Sequence, residues 1–262
     1  MTFPHYFHIL GRTVHPHLVL ELIAYGAGFQ LYLWTRGRWP RAAVGVEQNL
    51  WIIGGAIFGA LIGSKLLAWL ESAPDYWAHR FEPAAWTGGK TIVGGLLGGW
   101  AGVEIVKKRL GIKHSTGDAV VFPLIVGMSI GRVGCFLTGL EDHTHGVATT
   151  LPWGIDFGDG VRRHPTQLYD IAFLALLAVA LLLRMRRPFP NGRIFRLFLL
   201  GYLAWRFAVE FIKPRYTYAG LSAIQMACLV GIGTVMIGVM GAGIARRFDP
   251  NHKRRVGQPT GP

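Results

Sequence analysis

The residues best able to do chemistry lie inside apolar runs. Arg132 interrupts one in "SIGRVGCFLTGLEDHTHG" (129–146). Gly131 and Gly134 flank it and Gly139 follows, which leaves backbone open to close approach. An arginine offers a planar fork of donors that matches phosphate, so one chemistry for this position is holding an anionic headgroup. The other reading is a structural guanidinium that snorkels to the interface. Arg206 and Glu210, in "LAWRFAVEFIKPR", are four residues apart and share a helix face. They form either a neutralising pair that locks a bundle or a second cation on the same cavity, oriented by Glu210. "RRHPTQLYD" (162–170) gathers His164, Gln167 and Tyr169 into one turn at a helix entry, where Pro165 suits the first position. His164 could equally be a cap, and Tyr169 an interfacial belt residue. Glu21, Lys65, Glu104 and Asp170 complete the ionisable groups in apolar surroundings. Each such charge costs at least about 2.5–3.5 kcal/mol at the centre of a span, so these groups tend to face a bundle interior. "EDHTHG" (141–146) sets two histidines at i, i+2 beside carboxylates, but no second cluster completes a zinc set. No metal is expected. Cys135 reads as a small apolar helix residue, with a nucleophile as the alternative.

These groups need a scaffold that can hold them in lipid. The 262 residues are 51% hydrophobic and 16% charged, against about 25% charged in soluble domains, and the mean hydropathy is +0.35. Apolar stretches at 17–35, 50–71, 91–107, 117–138, 165–184, 194–213 and 221–245 are each near the length that spans a bilayer, about 17–25 residues. Continuous runs such as "IAFLALLAVALLL" exclude the alternating pattern of a membrane β-barrel. The expected fold is an all-α polytopic membrane protein of about seven transmembrane helices. Lys and Arg concentrate in every second loop: Arg36, Arg38 and Arg41, then Lys107 to Lys113, then Arg184 to Arg196, then the segment from Arg246. The positive-inside rule puts the N-terminus outside and the C-terminus in the cytoplasm. That distribution explains a net charge of +13 through orientation and anionic headgroups, without nucleic acid. One transmembrane domain (1–245) is expected, followed by a basic, disordered tail (246–262). The start of the chain lacks the pattern of a cleaved signal peptide. "IIGGAIFGALIGSKL" (52–66) and "IVGGLLGGWAGVEIV" (92–106) look alike, as shared small packing residues more than as a repeat. "GGKT" (88–91) fails as a phosphate loop because position 84 is Ala and no strand precedes it. No cofactor is implied.

Taken in order, "GRVGCFLTG", "RHPTQLYD", "GYLAWRFAVEFIKPR" and "GLSAIQ" resemble the prolipoprotein diacylglyceryl transferase family, and the resemblance runs through most of the chain. It implies a multi-pass enzyme of the bacterial cytoplasmic (inner) membrane. Such an enzyme moves the diacylglyceryl group of phosphatidylglycerol to the cysteine thiol of a prolipoprotein, with the signal peptide of that substrate as partner, and releases glycerol phosphate. Carried over, Arg132 matches the signature arginine, Arg206 the second essential arginine and Glu210 the acid one turn later, while His164, Gln167 and Tyr169 match the outer block. The resemblance thus implies catalytic roles for Arg132, Arg206, Glu210 and His164. Gly131, Gly134, Cys135, Gly139, Gln167, Tyr169 and Glu21 are expected to bind substrate. The departures are specific: Cys135 and Thr138 stand where the family has asparagines, and Leu140 takes the place of a glutamate, with Glu141 one residue late. Val93 stands where the family has a histidine thought to act as base, and Glu21 where it has a tyrosine. These changes motivate two rival readings: the same fold serving another acceptor (a small molecule or a glycan), and a phospholipid-binding or transport protein without catalysis.

Overall fold

The computed structural model describes residues 3–9, 11–79, 81–82 and 88–247. Among them the chain is mostly helical: α1 (Pro16–Thr35), α2 (Val46–Glu71), α3 (Ala73–Ala78), α4 (Ile92–Arg109), α5 (Val121–Thr138), α6 (Thr166–Met185), α7 (Arg193–Val209) and α8 (Ala223–Arg247). Two small antiparallel hairpins join them, β1 (Phe7–Ile9) with β2 (Arg12–Val14) and β3 (Ile155–Asp156) with β4 (Arg162–Arg163). The basic tail expected from residue 246 lies, from 248 onward, outside the described residues.

Five helical segments are long and apolar enough to cross a membrane: 16–38, 46–71, 117–142, 166–185 and 223–240. Their outward faces carry large apolar side chains such as Leu22, Phe58, Leu176 and Ile237, each more than 60% exposed. That is the reverse of a water-soluble surface, and lipid is the solvent that suits it. The stretches expected at 91–107 and 194–213 form α4 and α7, which are not among the five. α4 ends in Lys107, Lys108 and Arg109, and α7 has 17 residues that include Arg193, Arg196 and Arg206. α7 can carry this charge because protein surrounds it: Ile194, Phe198, Leu199 and Leu203 are fully buried.

Two tight antiparallel helix pairs build the frame. α2 lies along α4 with Gly55, Gly59 and Gly63 facing Gly102, Gly98 and Gly94. A β-carbon on five of these six would overlap the opposing backbone, and one on Gly55 would overlap the Val106 side chain, so only glycine permits the approach. The likeness between 52–66 and 92–106 is therefore two matching small-residue faces. α1 lies along α5 in the same manner, with Gly28 against Pro123, Ala24 against Gly127 and Leu20 against Gly134. α6 packs on α5 and α7, and α8 packs on α7 and touches α2 and α4.

Helix starts are fixed by side chains. Asp118, 1% exposed, accepts from the Gly192 and Phe195 amides at 2.6 and 2.9 Å and so starts α7. In "LSAIQ" the Gln225 amide donates to Ser222 Oγ at 3.1 Å and the Ser222 amide donates to Gln225 Oε1 at 3.0 Å. This capping box opens α8.

The glycine contact between α2 and α4 gives a direct prediction. Gly59→Ala should destabilise the fold by about 1–3 kcal/mol, read as a lower unfolding midpoint in detergent. Gly54→Ala, whose added carbon meets no atom within 4 Å, should leave the midpoint in place.

Candidate active site

α5, α6 and α7 bring Arg132, Asp170 and Arg206 together in the interior. Arg132 Nε lies 2.7 Å from Asp170 Oδ2. Its N–H does not point along that line, so the contact is an ion pair without a directed hydrogen bond. Arg206 Nη1 donates to the same oxygen at 3.4 Å, and its Nη2 donates to Glu210 Oε2 at 2.9 Å. Trp205 Nε1 donates to Asp170 Oδ1 at 2.7 Å. All four charged groups are at most 6% exposed. Two cations and two anions sum to zero, and that neutrality is the condition for burying them together.

Beside this quartet lies a cavity of about 70 Å³ whose lining includes Lys90, Val93, Arg132, Thr144, Arg206 and Lys213. Four of the nine lining residues are cationic, a lining that suits an anion. Arg132 Nε, Arg206 Nε and Tyr202 Oη are buried and make no hydrogen bond among the described residues; of these residues Arg132 and Arg206 line the cavity. Lys90 belongs to the discarded "GGKT". It pairs with Glu21 at 2.8 Å, while Thr91 caps α4.

The segment 139–164 forms a cover. The Val147 amide donates to the carbonyl of Ile212, the Gly146 amide to the carbonyl of His164, and the His164 amide to the carbonyl of Val147. Thr144 is thereby held at the cavity wall. Its hydroxyl accepts from Gln167 Nε2 at 3.0 Å and donates to Asp142 Oδ2 at 2.8 Å. Asp156 Oδ1 accepts the amides of Gly158, Asp159 and Gly160 and so turns the β3–β4 hairpin. Arg163 clamps the hairpin through two hydrogen bonds to Asp159, which hold that exposed carboxyl down to about 2.

The expected site residues fall into three groups. Arg132 and Arg206 meet at the cavity, Glu210 stands behind Arg206, and Gln167 reaches the cavity through Thr144. His164 and Tyr169 bond to each other at 3.1 Å, and Trp153 donates to Tyr169 at 2.8 Å. Neither His164 nor Tyr169 lines the cavity. Gly134 and Gly139 serve close packing, the first against α1 and the second, at φ +70°, against Phe3. Gly131 faces open space. Cys135 Sγ lies 3.9 Å from both Arg132 Nη1 and His17 Nδ1, and Glu21 approaches the same histidine at 3.8 Å. Glu141 points to His15 and Tyr6, and it is Asp142 that turns inward. His143 and His145 do not join it. Glu104 pairs with Lys107 at 2.8 Å, away from the site.

Asp170, His17, Asp142 and Lys213 were not among the expected site residues. Asp170 carried a signal: it lies one helical turn after Gln167, on an otherwise apolar helix.

Similarity to known proteins fits this geometry. Residues 4–244 match the family described as prolipoprotein diacylglyceryl transferase. The chain belongs to that family. It is 32% identical over 238 residues to the phosphatidylglycerol–prolipoprotein diacylglyceryl transferase of Cupriavidus metallidurans, covering 82% of this chain and 86% of the relative. Against the protein of the same name from Geobacter sulfurreducens it is 31% identical over 264 residues, covering 94% and 98%. Against that of Nitratidesulfovibrio vulgaris it is 33% identical over 212 residues, covering 77% of each.

Removing the shared anion should be severe. Asp170→Ala leaves two buried guanidiniums facing each other, and loss of one partner from a buried pair costs about 3–5 kcal/mol. The unfolding midpoint in detergent should fall far more than for Asp159→Ala, which breaks only the surface clamp.

Proposed function

We propose that this chain transfers the diacylglyceryl group of phosphatidylglycerol to the cysteine thiol of a prolipoprotein. Its place is the bacterial inner membrane, with seven spans and the N-terminus outside. α4 and α7 are then the two further spans, about 27 and 26 Å long at about 1.5 Å per residue, close to a hydrocarbon core of about 30 Å. The observation that carries the reading is the pair of buried arginines on one cationic cavity, in a chain whose relatives bear that enzyme's name.

The chemistry follows from charge. The acceptor sulfur forms a bond to a glycerol carbon, the bond from that carbon to the phosphate oxygen breaks, and glycerol phosphate leaves. The thiol proton passes to a base. Negative charge grows on the departing phosphate, and preorganised guanidiniums in a site screened from water stabilise it most where it develops. Asp170 and Glu210 hold the guanidiniums still, so little reorganisation accompanies the reaction. Gln167 and Thr144 position the outer cover, while His164, Tyr169 and Trp153 brace its other side. Gly131 leaves open space beside Arg132, while Gly134 and Gly139 let α1 and Phe3 pack closely on the end of α5.

A second reading keeps the fold and the lipid but changes the acceptor. It rests on Val93, which is 1% exposed and forms part of the cavity wall. The resemblance leads one to expect a proton acceptor at that position, and valine offers none. Expression in a bacterium depleted of its own diacylglyceryl transferase separates the two readings. Mass spectrometry should find a prolipoprotein heavier by one diacylglyceryl group. No gain, with folded protein in the membrane and phosphatidylglycerol still consumed, would favour the other acceptor. Arg206→Ala should slow conversion by about 10²-fold or more; full activity with bound lipid unchanged would refute the phosphate role.

A further inference from the structure

A cluster beside the lipid cavity joins three residues from distant parts of the chain. His17 in the first turn of α1, Cys135 in the last turn of α5 and Asp142 in the turn that follows each place a donor atom within 4.8 Å of the others. Cys135 Sγ is 3.9 Å from His17 Nδ1, and Asp142 Oδ1 is 2.9 Å from the same nitrogen. Around one tetrahedral zinc ion, with bonds of about 2.3 Å to sulfur and about 2.0–2.1 Å to nitrogen or oxygen, ligand atoms stand roughly 3.3–3.6 Å apart. The sulfur–nitrogen and nitrogen–oxygen separations differ from that by less than about half an ångström, the sulfur and the carboxylate stand within 4.8 Å of each other, and side-chain rotation closes the set.

The next layer of contacts points the same way. The far nitrogen of His17, Nε2, faces Glu21 Oε2 at 3.8 Å. Glu21 is fixed by Tyr25 Oη at 2.6 Å and Lys90 Nζ at 2.8 Å. The second oxygen of Asp142 accepts from Thr144 Oγ1 at 2.8 Å, which leaves Oδ1 turned to the histidine. Arg132 Nη1 directs an N–H toward the sulfur. A carboxylate on the remote imidazole nitrogen and a hydrogen bond to the spare carboxylate oxygen are the contacts that orient metal ligands. A bare His17–Asp142 ion pair requires neither the thiol beside Nδ1 nor the carboxylate facing Nε2. Charge also closes: one thiolate, one carboxylate and a neutral imidazole balance a dication, and a neutral site is the one that tolerates burial. Mixed sulfur, nitrogen and oxygen donors select zinc-like ions over magnesium or calcium.

We propose that His17, Cys135 and Asp142 bind one zinc-class divalent ion, with a fourth position open to water, and so tie the start of α1 to the end of α5. Binding displaces the thiol proton of Cys135 and the proton shared by His17 Nδ1 and Asp142 into the buffer. The site stands independently of the lipid reaction, because none of its evidence comes from lipid or acceptor.

The test uses the full chain in phospholipid nanodiscs, stripped with chelator and titrated with Co²⁺, then with Zn²⁺. Cobalt should give a sulfur-to-metal charge-transfer absorption that saturates at one ion per chain and is displaced by zinc. Zinc should raise the unfolding midpoint. Cys135→Ser should abolish the absorption, and His17→Ala or Asp142→Asn should weaken zinc binding at least about tenfold. Cys228→Ser, in α8, should change nothing. Two variants besides Cys135→Ser keep the test valid if that one fails to fold. The proposal is overturned if wild-type protein gives no charge-transfer band, or if all three variants bind zinc as the wild type does.

Discussion

Asp170 is the point on which the interior depends. Its carboxylate is 1% exposed, lies within 3.4 Å of two guanidiniums and accepts hydrogen bonds from Arg206 and Trp205. Without it Arg132 and Arg206 would repel each other across a medium that screens little. With it they stand together, and α5, α6 and α7 are pinned at one level. Glu210 completes neutrality from the far side of Arg206. The arrangement is stable as a whole and still presents guanidinium donors to a cavity.

That interior can exist only because the frame around it is thin. Glycine faces bring α2 against α4 and α1 against α5 at backbone contact. In lipid, where apolar side chains gain nothing by leaving the solvent, such close packing supplies the association energy. The central helix α7 is then covered by protein and can carry Arg206 at low cost. The same logic explains why α7 falls short of the length and apolarity of a free-standing span. Its surroundings are supplied by neighbours more than by hydrocarbon.

Much of this was legible in the residues. A guanidinium in an apolar run is costly enough to demand a reason, so Arg132 and Arg206 stood out at once. The small-residue runs at 52–66 and 92–106 pointed to close packing, but their facing each other, and the Ser222–Gln225 cap, came only with the structure. Other parts were not legible, for physical reasons. His17 is one histidine in a histidine-rich opening, and its partners are more than a hundred residues away. "EDHTHG" drew attention to His143 and His145. Yet His143 adopts a left-handed conformation at φ 52°, and the turn there sends Glu141 outward and Asp142 inward. His164 precedes the helix and stays with the hairpin, while helical rotation separates Tyr169, bonded to His164 and Trp153, from Gln167 in the interior.

The central claim is that Arg132 and Arg206, held by one carboxylate, grip a single lipid phosphate as a unit. A double-mutant cycle on lipid retention addresses it directly: native mass spectrometry of bound phosphatidylglycerol in wild type, Arg132→Gln, Arg206→Gln and the double variant. Residues that act as a unit are strongly non-additive. The account predicts that either single change removes most of the bound lipid and that the double variant loses little more. Independent, multiplying losses, or retention at the wild-type level in either single variant, would contradict it.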